Sequence, residues 1–132
     1  MSTLQVETIK NPTSLNTVNS EQVIQGAANA LVNFNGNGAI SINNSYNVSS
    51  VTDVGVGYYT INFVSPLNNV YYTINAMLNV TNATSTARTI HEDTVISRTS
   101  SQITVHCGYV NSTNNYSKID HGRISIVIHG GL

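Results

Sequence analysis

Four histidines and a handful of carboxylates are the residues that could do chemistry: His91, His106, His121 and His129, with Glu92, Asp93, Asp53 and Asp120. No two histidines sit two or four residues apart, so none forms a local metal-ligand pair. His91-Glu92-Asp93 and Asp120-His121 each offer mixed ligands, but short runs of this kind arise by chance. The four histidines therefore read as structural or surface residues. Cys107 follows His106 directly, and in a strand neighbouring side chains point to opposite faces, so no local Cys–His pair forms. Cys107 reads as a small buried core residue. There is no Gly-x-Ser-x-Gly elbow and no phosphate-cradling glycine loop followed by Lys-Ser or Lys-Thr. The carboxylates offer no supported glycosidase pair. The expectation is a protein that is not an enzyme and carries no cofactor.

Recognition chemistry is better represented. The pairs Tyr58-Tyr59 and Tyr71-Tyr72 put one ring on each face of a strand, so one of each pair packs inward while the other looks out. Tyr109 and Tyr116 flank a polar loop at 111–117. Outward tyrosines among Asn and Ser suit either a subunit interface or an adaptable ligand surface, including one for sugars. Six Asn-x-Ser/Thr triplets, starting at Asn43, Asn47, Asn79, Asn82, Asn111 and Asn115, are expected by chance in so Asn-rich a chain.

The elements that must position these groups follow from composition. The chain has 132 residues, a net charge of −1 and only 8% charged residues, against roughly 25% in an average soluble domain. Asn, Ser and Thr number 19, 15 and 15. Five Lys and Arg provide no basic footprint for nucleic acid. No apolar run reaches the roughly 18 residues of a membrane span, and MSTLQVETIK lacks the apolar centre of a signal peptide. One Cys excludes an intrachain disulfide. Val, Ile, Thr and Tyr favour strands while Asn, Ser and Gly favour turns, which predicts an all-β domain of many short strands. So few charges also favour close subunit contact and an oligomer.

Along the chain, residues 1–19 read as an extended arm or a frayed terminus, with Leu4, Val6 and Ile9 alternating before Pro12. Residues 20–30 are the single plausible helix, capped by Asn19 or Ser20, with Val23, Ile24, Ala27 and Leu31 on one face and Gly26 weakening it. Strands follow at 30–35 and 39–43, joined through Asn35-Gly36-Asn37-Gly38, a strong hairpin signal. A segment from Ser45 to Val51 bends near Ser49-Ser50, and 52–57 reads as a loop. Strands at 58–64 (Tyr59, Ile61, Phe63 on one face), 70–80 (the longest), 88–97 (one bent or two short), 102–110 and 122–129 complete the set. The expected domains are an arm and short helix at 1–30 and a β-sandwich or jelly-roll-like domain at 31–132.

Three ordered blocks then stand out: Val32-Asn33-Phe34-Asn35-Gly36, Ser45-Tyr46-Asn47-Val48-Ser49-Ser50, and Thr52-Asp53 with Gly55, Gly57, Tyr59-Thr60 and Asn62-Phe63. With the start MSTLQVETIK, this run resembles a module of small tail-fibre or fibre-like virion structural proteins of phages infecting cyanobacteria and marine bacteria. Leu31 departs from it, standing where that family has Trp, and residues 70–132 match no named pattern. The resemblance implies a homotrimer in the virion, assembled in the bacterial host cytoplasm. It implies docking onto tail or baseplate proteins through residues 1–19 (Leu4, Val6, Ile9). The β-domain would face a host-surface glycan or protein. The loops 82–87 and 111–117 are the expected attachment sites, with Tyr109, Asn114 and Tyr116 as contacts. Around a threefold axis a single His becomes three, and His106 and His129, on strand patterns, are the candidates for an ion there. A capsid decoration protein and a lectin-like carbohydrate-binding module are the rival readings. Neither nucleic acid nor membrane insertion is expected.

Overall fold

The runs with a two-residue period become strands in the computed structural model, which describes residues 2, 5, 7–10, 17–19, 23–24, 26–80 and 87–131. The strands are β1 (Thr8–Lys10), β2 (Thr17–Asn19), β3 (Ala28–Asn35), β4 (Ser41–Tyr46), β5 (Val48–Gly55), β6 (Tyr58–Phe63), β7 (Tyr72–Leu78), β8 (Arg88–Glu92), β9 (Gln102–Val110), β10 (Tyr116–Lys118) and β11 (Ile124–Gly130). Every pairing is antiparallel. One layer has the order β4-β3-β11-β7, and the other runs β10-β9-β6-β5 with β8 also beside β9. β6 pairs with residues 102–106 of β9 and β10 with 108–110, end to end along one edge, while β8 lines the other edge over 105–109. The domain is thus all-β and sandwich-like.

Alternation decides what lies between the layers. Ala30, Val32 and Phe34 of β3 and Ile124, Ile126 and Ile128 of β11 face Tyr59, Ile61 and Phe63 of β6 and Ile103, Val105 and Cys107 of β9. All are buried, each contributing about 1.5–3 kcal/mol of transfer free energy for a Val-, Leu- or Phe-sized side chain. Phe34 meets the Tyr59 ring edge-to-face at 5.2 Å, a favoured aromatic geometry. Cys107 is fully buried, and burial pushes its thiol up to about 12.

Several boundaries move. The helix expected at 20–30 is cut short: Val23, Ile24 and Gly26 are helical and the Ala27 N–H bonds to the Val23 carbonyl at 3.0 Å, but Ala28, Asn29 and Ala30 already belong to β3. Ala30 sits opposite Ile128 and is fully buried, so ladder pairing and core packing outweigh a weak helix signal. The expected loop at 52–57 shrinks to the turn at Val56-Gly57, because β5 runs on to Gly55. The expected bend at Ser49-Ser50 is a register shift between Val48 and Ser50. The strand expected at 88–97 stops at Glu92, and β9, rather than the 70–80 segment, is the longest strand among the described residues. Toward the N-terminus β1 pairs with β2, Ile9 opposite Val18, as a separate two-stranded sheet. Leu4 and Val6 lie outside the described residues.

Two polar devices hold the connections. Asn47, at positive φ (54°), ends β4 and turns the chain into the other layer. Its amide donates to the carbonyls of Asn29 (2.9 Å) and Ser65 (3.1 Å) and accepts from the Ser65 N–H (2.8 Å). At the opposite end of β6, the buried Tyr59 hydroxyl donates to Asp120 Oδ1 at 2.6 Å, with the Gly36 carbonyl 3.2 Å away. The same carboxylate oxygen accepts the Gly57 N–H at 2.6 Å. Burial first, then Asp120, pushes the Tyr59 hydroxyl far above the ordinary tyrosine range. Gly57 has φ +60°, and a Cβ there would stand 2.4 Å from the Cys107 carbonyl oxygen.

Tyr59→Phe should therefore lower unfolding stability by about 1.5–3 kcal/mol, the worth of a hydrogen bond to a charged group. Gly57→Ala should cost at least about 2 kcal/mol from strain and overlap together. Urea unfolding followed by circular dichroism measures both, and wild-type midpoints in both variants would discount this polar connection.

Candidate functional site

The outer face of the five-stranded layer brings together rings from four strands. Tyr58 of β6 and His91 of β8 stand directly opposite His106 of β9, on its two sides. The Tyr58 and His106 rings are edge-to-face at 5.4 Å. Tyr116 of β10 adds a fourth ring, 5.5 Å from His91 and 6.4 Å from His106. It lies over Gly108, where a Cβ would come within 2.6 Å of a ring carbon, so the absent side chain makes room for the ring. Lys118 Nζ sits 4.1 Å from the Tyr58 ring centroid, in cation–π range.

Asp93 anchors the cluster from below. Its Oδ1 accepts the N–H groups of Val95 and Ile96 at 2.6 Å each, which closes the turn after β8. Its Oδ2 lies 3.0 Å from His106 Nε2. The neighbouring Tyr58 hydroxyl first, then the Ile96 N–H, favours the ionised carboxylate and pulls Asp93 down to about 2 against the opposing effect of burial. The carboxylate in turn pushes Tyr58 up. Farther along the face, Thr60 and Thr104 share a hydroxyl bond of 2.9 Å, and the Asn62 amide donates to Ser50 and Thr52. The face thus grades from rings to hydroxyls and amides.

A groove of about 550 Å³ opens beside it, between β7 and β8. Ile74, Ala76, Ile90 and Val105 line its apolar part. Arg98 closes one side: its guanidinium pairs with both oxygens of Glu92, donates to the Tyr72 carbonyl at 2.6 Å and stacks 4.8 Å over the Tyr72 ring.

The residues expected to act together are partly separated. Tyr116 joins the ring cluster. Tyr109 lies on the other face of β9, under Arg88 at 4.9 Å, because positions 109 and 116 alternate across the β9–β10 ladder. Asn114 sits at positive φ (60°) at the tip of a turn knitted by Asn111 Oδ1, which accepts from Thr113 and Asn115. Of loop 82–87, only Ala87 is among the described residues. His106 and His129 occupy different layers, His129 with Nδ1 3.3 Å from the Ala27 carbonyl. A single threefold axis running past one outer face therefore leaves the other histidine across a sandwich about 10 Å thick. The two are alternatives for such an axis, not partners. Among the described residues no group of three or more His, Cys, Asp or Glu is placed to hold a metal ion.

The sequence holds the pieces of this cluster without their assembly. His91-Glu92-Asp93 and Tyr116-Ser117-Lys118 alternate, so the outer residues of each triplet share a face, and that signal is readable from the chain. The pairing of His91 with His106 across β8 and β9 is not. Comparison with family models, curated proteins and solved structures finds no match for this chain.

Asp93 carries a pH signature. Its folded pKa of about 2 lies below the ordinary aspartate value of 3.8, so its contribution to stability is present above about pH 4 and lost as pH falls through about 2. Asp93→Asn should lower the melting temperature at neutral pH and flatten its fall between about pH 5 and 2. Melting curves across that range test this, and an unchanged acid slope would remove Asp93 as the anchor.

Proposed function

We propose that the protein is a non-catalytic phage tail-fibre subunit, a homotrimer that attaches to saccharide on the host surface. Residues 1–19 would seat it on tail or baseplate proteins of the virion. One observation carries the attachment part: exposed His91 and Tyr116 rings stand beside Tyr58 and Lys118 on a face otherwise built of hydroxyls and amides. Aromatic rings take the apolar C–H face of a pyranose, and neighbouring polar groups meet its hydroxyls. Each site is shallow and therefore weak, and three of them on one fibre gain avidity when they bind together.

The virion part rests on the resemblance of residues 31–63, whose blocks fall where this fold has special demands. The first supplies β3 and Gly36, whose N–H bonds the His121 carbonyl at 2.9 Å. The second contains the Asn47 corner. The third contains Gly57 and Tyr59.

The full chain on an array of bacterial surface glycans should bind at least one class. Tyr116→Ala and His91→Ala should each weaken binding about tenfold, near 1.4 kcal/mol, while Tyr109→Ala, on the other face, leaves it unchanged. Binding that ignores Tyr116 and His91 would move the site elsewhere. Removal of residues 1–19 should abolish incorporation into virions, and recovery of the protein on purified heads but not tails would favour the decoration-protein reading.

A further inference from the structure

The two layers differ in charge. No residue of β3, β4, β7 or β11, the whole four-stranded layer, is Asp, Glu, Lys or Arg. The other layer carries Asp53, Arg88, Glu92 and Lys118 on its strands, with Asp93 and Arg98 in the loop between β8 and β9. The uncharged layer still presents an outer face. One row across its strands reads Tyr46, Leu31, Val127, Asn75, and the next reads Asn44, Asn33, Ser125, Met77. Met77 is 74% exposed and Tyr46 61%. Both edge strands, β4 and β7, also lack the lysines and prolines that normally blunt sheet edges.

We infer that this outer face is where copies of the chain pack against one another, four-stranded layer to four-stranded layer. A different protein would be selected and oriented by complementary charge, and the strands of this face carry none to complement; the exposed Arg123 stands at its end, just ahead of β11. A small ligand needs a concavity, and these rows lie across a sheet face. Its polar groups are amides and hydroxyls, each able both to donate and to accept, so identical faces match without a charge partner. The Asn33 amide already shows the pattern within one chain, donating to Ser125 Oγ at 2.6 Å and accepting from Asn43 at 2.9 Å. Apolar Leu31 and Val127 sit at the middle of the face, with Tyr46 and Met77 on its outer strands. The ring cluster lies on the opposite layer and stays open to saccharide. The inference deepens the oligomeric part of the proposed fibre and is independent of the saccharide part.

The mass of the full chain in solution, measured by light scattering, tests it. The expected wild-type mass is a multiple of 14.2 kDa. Met77→Lys and Asn75→Lys, both outward and exposed, should together dissociate it to single chains with unchanged far-ultraviolet circular dichroism. His91→Lys, a charge on the other layer, should leave the wild-type mass. An oligomer that tolerates both lysines at 75 and 77 overturns this face and leaves the trimeric reading standing. A wild-type monomer overturns both. Glycan binding by the dissociated variant reads the saccharide site separately.

Discussion

A single half-buried carboxylate oxygen ties the sandwich together. Asp120 Oδ1 accepts from the Tyr59 hydroxyl and from the Gly57 N–H. Those two donors lie in the β5–β6 turn and at the start of β6, and Asp120 itself belongs to the segment leading into β11 of the other layer. The neighbouring His121 carbonyl takes the Gly36 N–H from the β3–β4 connection. Three connections distant in sequence are therefore fixed at one end by groups that would each be costly to bury alone. Gly57 follows from this constraint: the backbone must pass against Cys107 and Ile119 at positive φ, which leaves no space for a side chain.

The layers that this connection joins differ in chemistry. One carries the charges of the two layers' strands and a cluster of rings, one of which, His106, meets Asp93. The other carries none and offers alternating Asn, Ser and aliphatic rows. The chain has 8% charged residues, and within the two layers the strand charges fall in one layer only.

A two-residue period makes the core legible in the amino-acid sequence itself. Tyr59, Ile61 and Phe63 in one strand and Ile124, Ile126 and Ile128 in another alternate cleanly, and both triplets are buried. The inward and outward members of each tyrosine pair are readable for the same reason, Tyr72 being 3% exposed and Tyr71 87%. The start of β3 is not, because Ala28-Asn29-Ala30 is locally compatible with helix and becomes strand through its pairing with β11. Asp120 is legible as a carboxylate but not as a keystone, since its partners lie 61 and 63 positions away. The same holds for the site: Tyr116 stands out beside its polar loop, whereas its grouping with Tyr109 fails on a question of strand parity that the β9–β10 register answers.

The groove between β7 and β8 gives the sandwich a mechanical asymmetry. Along the opposite edge the chain itself passes from β4 through Asn47 into β5, a covalent hinge reinforced by three hydrogen bonds. Along the β7–β8 edge the layers are clasped by Arg98, through Glu92 and Tyr72. A load that pries the layers apart meets side-chain contacts at this edge and the chain itself at the other. Part-exposed ion pairs weaken as salt rises, so the stiffness of that seam varies with the ionic strength of the surrounding water.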